Sequence, residues 1–185
     1  MDLGFRMHAE RTPNPNSIKW VMAKRIVEGT ASASFDAPPA REVSPLAHQL
    51  FSVDGVVAVF LAANFATVSK REDAEWVDIA QSIVDVLKEH LGSGEPALGP
   101  GYQAVAEEAS GAVVQRICRI LDDEIRPAVA RDGGDILFVG YCEGVVELQM
   151  RGACSGCPSA TATLKMAVES RLREEIPEIR EVVAV

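Results

Sequence analysis

Arg151-Gly152-Ala153-Cys154-Ser155-Gly156-Cys157-Pro158 decides how this chain is read. Two cysteines three positions apart can turn both sulfurs toward one metal ion or toward each other. Gly152 and Gly156 on either side let the backbone fold tightly around them. Pro158 has no N–H to lose and a preset φ, so it suits the first turn of a helix. That helix follows, because Ala160, Leu164, Val168, Leu172 and Ile176 recur every four residues with Ala167 beside them. Upstream, Val145-Val146-Glu147-Leu148-Gln149-Met150 alternates as a strand does. The dithiol is therefore expected where a strand hands over to a helix, with the helix N-terminus favouring thiolate charge.

Four readings of the pair compete. Two cysteines that merely pack would sit oddly in a Gly-rich turn. A redox dithiol of the thioredoxin kind would suit the following proline, but only one helix and one short strand (Ile179 to Val185) remain after Cys157. Structural zinc takes four ligands, often as two such pairs, yet only one pair is present and no histidine follows His90. An iron–sulfur cluster also wants four thiolates. With two well-placed thiols per chain, either metal reading requires a second chain.

Further motifs carry a resemblance. Ile125-Arg126-Pro127-Ala128-Val129, Asp132-Gly133-Gly134-Asp135, Gly152-Ala153-Cys154-Ser155-Gly156-Cys157-Pro158-Ser159 and Thr163-Leu164-Lys165 together resemble the NifU-like C-terminal domain, from about Ala112 to Val185. The resemblance implies a [4Fe–4S] cluster held by Cys154 and Cys157, bridging two subunits and handed on to apoproteins. The first half is similar to the N-terminal domain of Nfu-type iron–sulfur carriers. It carries Thr12-Pro13-Asn14-Pro15-Asn16-Ser17, Ser44-Pro45-Leu46-Ala47, Gly55-Val56, Phe60, Thr67-Val68 and Trp76.

In chain order, an extended start leads into the Pro/Asn turn, and Ile18–Met22 and Ser32–Phe35 read as strands. Ser44-Pro45 opens a helix. Val56–Leu61 and Phe65–Lys70 pair as a hairpin across Ala62-Ala63-Asn64, and Trp76, Ile79, Ile83, Leu87 and Leu91 mark an amphipathic helix. Gly92–Gly101, dominated by glycine and proline, reads as a flexible linker. Val114, Ile117, Cys118, Leu121 and Ile125 give a helix face stopped near Pro127. Asp132-Gly133-Gly134-Asp135 shapes a turn into Ile136–Tyr141, and Cys142-Glu143-Gly144 turns that strand back. The expected fold is α+β, with small domains at 1–91 and 112–185 joined by a linker at 92–111.

Cys118 falls on an apolar face and is expected to be core. Cys142 is expected to be exposed and dispensable as a ligand. Trp20, Trp76 and the phenylalanines are expected to form core. His8, His48 and His90 lie in separate segments without ligand spacing and read as ordinary surface or helix histidines.

The 185 residues carry a net charge of −9, spread evenly: nine basic and 12 acidic side chains in 1–91, and again nine and 12 in 112–185. The absence of a basic stripe argues against nucleic acid as a partner. No apolar run approaches the ~20 residues of a spanning helix. The first residues show no secretory signal or transit peptide, and four cysteines do not suggest a disulfide framework, so a reduced cytosol, bacterial by expectation, is inferred. The expected activity is carriage of an iron–sulfur cluster rather than catalysis. The expected partners are a second copy in the loaded form, an upstream cluster donor and apo client proteins. A dithiol–disulfide oxidoreductase and a zinc-linked dimer are the alternatives.

Overall fold

The computed structural model describes residues 6–29, 32–102, 111–154 and 158–185, the side chains of 158–160 excepted. The chain divides into two compact units, Met1–Ala104 and Val105–Val185. Each pairs helices with its own sheet, so the fold is α+β.

The first unit holds a five-stranded antiparallel sheet in the order β1-β2-β5-β4-β3. The strands are β1 Met7–Arg11, β2 Ser17–Met22, β3 Ser32–Phe35, β4 Val56–Ala62 and β5 Phe65–Lys70. β1, read from sequence only as an extended start, pairs along its whole length with β2. The Pro/Asn turn between them is held by side chains, with Thr12 Oγ1 donating to Ser17 O at 3.0 Å and Asn14 Oδ1 accepting from Asn16 N at 3.0 Å. Two helices, α1 Pro45–Leu50 and α2 Trp76–Ser93, bury Leu46, Leu50, Ile83 and Leu87 with Trp20, Val59, Leu61 and Val68 of the sheet. Ser44 caps α1, its Oγ accepting from Ala47 N at 3.1 Å.

The Gly/Pro stretch read as a flexible linker is fastened to this unit through Tyr102. Ser44 Oγ donates to Ala97 O at 2.7 Å, Gly99 N to Val43 O at 3.0 Å, and Gly101 N to Glu42 O at 2.9 Å. Tyr102 Oη donates to Ser32 O at 2.6 Å, and Arg41 pairs with Glu95 at 2.8 Å. Ala97 is 2% exposed and lies in the core. A Cβ on Gly99 would sit 2.3 Å from Glu42 O. The glycine there serves close backbone approach, the opposite of slack.

The second unit runs α3 Ala112–Ile120, a π-helical turn Leu121–Ile125, α4 Arg126–Arg131, β6 Gly134–Cys142, β7 Val145–Gly152, α5 Pro158–Glu175 and β8 Glu181–Ala184. Its sheet order is β6-β7-β8, with β6 and β7 antiparallel and β7 and β8 parallel. α5 supplies the crossover that a parallel pair requires. Ile117, Leu121, Ile136, Val146, Leu148, Val168, Leu172, Ile176 and Val182 form the core. Leu164 is half-buried and Ala167 is exposed, so the stripe read along α5 is narrower than its periodicity suggested. The α3 helix does not stop near Pro127. Arg126 N reaches back five residues to Leu121 O, and this wide turn accommodates the missing N–H and the ring of Pro127. The β6–β7 hairpin turns on Glu143 and Gly144, both with positive φ, and β6 extends through Cys142.

Candidate metal centre

Cys154 lies just past the end of β7, in the turn before α5. Gly152 closes the strand with φ +65°, and Ala153 N donates to Gly133 O at 3.1 Å, so the turn is stitched to the entrance of β6. In the β6–β7 ladder Gly134 stands opposite Gly152. A Cβ on Gly134 would lie 2.4 Å from Cys154 Sγ and 2.8 Å from Arg151 O, so only glycine fits. Thr161 Oγ1 donates to Cys154 O at 2.9 Å and ties the first turns of α5 to the same loop. The outcome is a thiol that is 7% exposed and packed at the rim of the core.

The expectation of a thiolate favoured by the helix N-terminus does not hold for Cys154. Burial pushes the thiol from its ordinary 9.0 up to about 11, and the charges of Asp132 and Asp135 push the same way. That rise corresponds to roughly 3 kcal/mol against the charged form. A helix terminus offers about 0.3–1 kcal/mol. Burial and the carboxylates outweigh it and favour the protonated thiol.

Asp135 is itself buried and firmly held. Its Oδ1 and Oδ2 accept from Arg126 Nε and Nη2, each at 2.9 Å, and Oδ1 also accepts from Ile136 N at 2.8 Å. Arg126 Nη1 reaches Asp122 at 2.8 Å across the π-helical turn. Burial would lower the Arg126 pKa, but Asp135 and Asp122 hold it above the ordinary value. Composition and spacing had assigned the Asp-Gly-Gly-Asp stretch only to turn shape. The signal that could have located it is a glycine pair flanked by carboxylates facing the cysteine loop, which becomes visible only once β6 and β7 are paired.

Cys157, the second sequence-derived ligand, lies outside the described residues together with Ser155 and Gly156. Cys118, expected in the core, is only half-buried and packs against its edge, and Cys142 is exposed at the end of β6. Among the described residues no three His, Cys, Asp or Glu side chains converge as metal donors. His8 and His48 are exposed, bonded to Glu10 at 2.9 Å and Pro39 O at 2.9 Å. His90 is different: it is 3% exposed, its Nδ1 has no hydrogen-bond partner among the described residues, and burial lowers its pKa. Chemically, the centre offers one soft sulfur donor in a cradle that any side chain at Gly134 would fill. The engagement of Asp135 by Arg126 leaves the cradle ill suited to calcium.

Comparison with known proteins matches each unit separately. Residues 117–183 match the family described as NifU-like domain, and residues 7–94 match the family described as scaffold protein Nfu/NifU N terminal. The chain is 40% identical over 179 residues to a Drosophila ananassae protein named NFU1 iron-sulfur cluster scaffold homolog, mitochondrial, covering 95% of this chain and 63% of that protein. The same-named proteins of Drosophila persimilis and Drosophila grimshawi are each 39% identical, with 64% and 60% of their lengths covered. The chain thus spans a little over three fifths of these relatives. Among solved structures, a NifU-like protein from Saccharomyces cerevisiae gives a TM-score of 0.47 at 24% identity, over 52% of this chain and 86% of that one. The Staphylococcus aureus protein SAV1430 gives 0.41 at 23%, over 44% and 98%. Neither likeness is close enough to carry an inference.

The cytosolic expectation is overturned. The relatives are named mitochondrial, which a bacterial cytosol does not fit. That expectation rested on the first residues, and in a chain spanning three fifths of its relatives these say nothing about compartment. The relatives are also named as scaffolds, not as enzymes. No described helix is long and apolar enough to cross a membrane.

Proposed function

We propose that this chain, whose two units match the NifU-like domain and the Nfu/NifU N-terminal domain, is an iron–sulfur cluster scaffold and carrier. The observation that carries this reading is the Cys154 cradle: a sulfur donor at the end of β7, walled by Gly133-Gly134, inside the unit that matches the NifU-like family. The cluster is cargo, taken from an upstream donor and passed to apo client proteins. Cys154 and Cys157 are its ligands in each chain. A [4Fe–4S] cluster asks for about four thiolates, so two chains meet at their loops and share it. Two ligands per chain also suit release, since incoming client thiolates can displace one chain at a time.

In this reading Cys154 has two states. Unloaded, it is buried and protonated, and a neutral thiol resists oxidation and disulfide exchange. Loading takes the proton away, because the thiolate is the ligand, and so releases protons as metal binds.

Anaerobic reconstitution with iron and sulfide tests the reading. The loaded protein is expected to be brown, to carry roughly two irons per chain for a cluster of four shared between two chains, and to run as a dimer by light scattering. Cys154→Ala and Cys157→Ala should each abolish both iron and the cluster-dependent dimer. A colourless protein, or a monomer holding four irons, would sink the shared-cluster reading.

A further inference from the structure

We propose that Arg126 is the positioning residue of the Cys154 cradle: its two-pronged grip on Asp135 holds the Gly133–Gly134 wall against the thiol. This extends the reading of Cys154 as a ligand and rests on it. The contact chain is short. Arg126 Nε and Nη2 donate to the two oxygens of Asp135, both at 2.9 Å, and Nη1 braces against Asp122 at 2.8 Å. Asp135 adjoins Gly134 in β6, and the space of a missing Gly134 Cβ is filled by Cys154 Sγ. Gly133, with φ +79°, accepts from Ala153 N at 3.1 Å. Whatever fixes Asp135 therefore fixes both backbone surfaces that confine the sulfur.

Local architecture supports this role over that of a general staple. The π-helical turn Leu121–Ile125 places Asp122 and Arg126 together at the start of α4 and aims the guanidinium at the entrance of β6. The apolar core of the unit includes neither partner of the pair. A buried ion pair is weak evidence of stabilisation in itself, whereas a fork that matches a carboxylate atom for atom fixes direction. Charge points the same way. A ligating Cys154 adds a negative sulfur beside Asp132 and Asp135, and Arg126 is the cation seated on Asp135.

The test uses the full chain without iron, in a Cys142→Ala, Cys157→Ala background, so that Cys118 and Cys154 are the remaining thiols. Alkylation by iodoacetamide is followed at each site by mass spectrometry, beside urea unfolding. Arg126→Lys keeps the charge and loses the fork; Arg126→Gln loses both. Cys154 is expected to react about tenfold faster in Arg126→Lys and by a smaller factor in Arg126→Gln, where the uncompensated Asp135 charge opposes the thiolate, with Cys118 changed less than about twofold, because only the cradle opens. Parallel acceleration of both cysteines in step with lost stability, or no change at Cys154, would overturn the proposal. Should Arg126→Gln fail to fold, Arg126→Lys carries the test. Iron uptake separates this inference from its premise. If Cys154→Ala binds iron as well as the parent, the cargo reading fails, while the alkylation rates still decide whether Arg126 holds the wall.

Discussion

The glycines at Gly99 and Gly134 look alike in sequence and collide at nearly the same distance with what they face. A Cβ on Gly99 would lie 2.3 Å from Glu42 O, and one on Gly134 would lie 2.4 Å from Cys154 Sγ. In the first unit the close approach ends at a carbonyl, and its effect is complete once the chain is packed. In the second it ends at the Cys154 sulfur, the proposed cluster ligand. Glycine thus marks close approach in both places, and only the chemistry of the neighbour separates a packing device from a site.

The largest effect expected from breaking this comparison is that of Gly134→Ala. The new methyl meets both Cys154 Sγ and Arg151 O, and overpacking of this kind costs about 3 kcal/mol when backbone cannot yield. Urea unfolding should show the loss in the second unit, and iron uptake should fall with it. Unchanged iron content at full stability would mean the cradle does not confine the sulfur. Gly99→Ala should cost about 2 kcal/mol, confined to unfolding of the first unit, with iron uptake preserved. A loss of iron there would show that the two glycines are not independent. The smallest effect is a pH dependence belonging to the first unit, since no histidine follows His90. Burial lowers the folded-state pKa of His90, so the unfolded chain takes up the proton first. Stability is then full above the ordinary value of about 6.5 and declines as pH falls below it toward the lowered value. Urea midpoints at neutral and mildly acidic pH, with His90→Gln as control, should show a dependence that the variant lacks.

Much of this was legible because periodicity is local. The α2 face through Ile79, Ile83 and Leu87, the hairpin of β4 and β5, and the strand–turn–helix around Cys154 all follow from residues near one another in sequence. What stayed hidden depends on distant partners. Nothing local announces that Arg126 will fork onto Asp135, or that Pro127 will ride through a π-helical turn rather than end a helix. The thiolate expected at Cys154 failed for the same reason. Helix position is read along the chain, whereas burial against Gly134 and the aspartates is a fact of folding. His90 likewise shows no sign in its own segment that it will be enclosed.

The fastened stretch ending at Tyr102 bears on where the polypeptide can be cut, tagged or grafted. Composition invites a cut near residue 91, yet that cut would strip Ala97 from the core. It would also leave the Ser44 hydroxyl without its acceptor and the carbonyls of Val43 and Glu42 without the donors they hold. A first-unit fragment would therefore need to run through Tyr102 to be judged fairly in a delivery assay. A shorter one would fail for want of its own edge, and that failure would be mistaken for evidence about clients. Proteases should respect the same boundary, leaving Gly94–Gly101 intact in the folded protein despite its glycines and prolines.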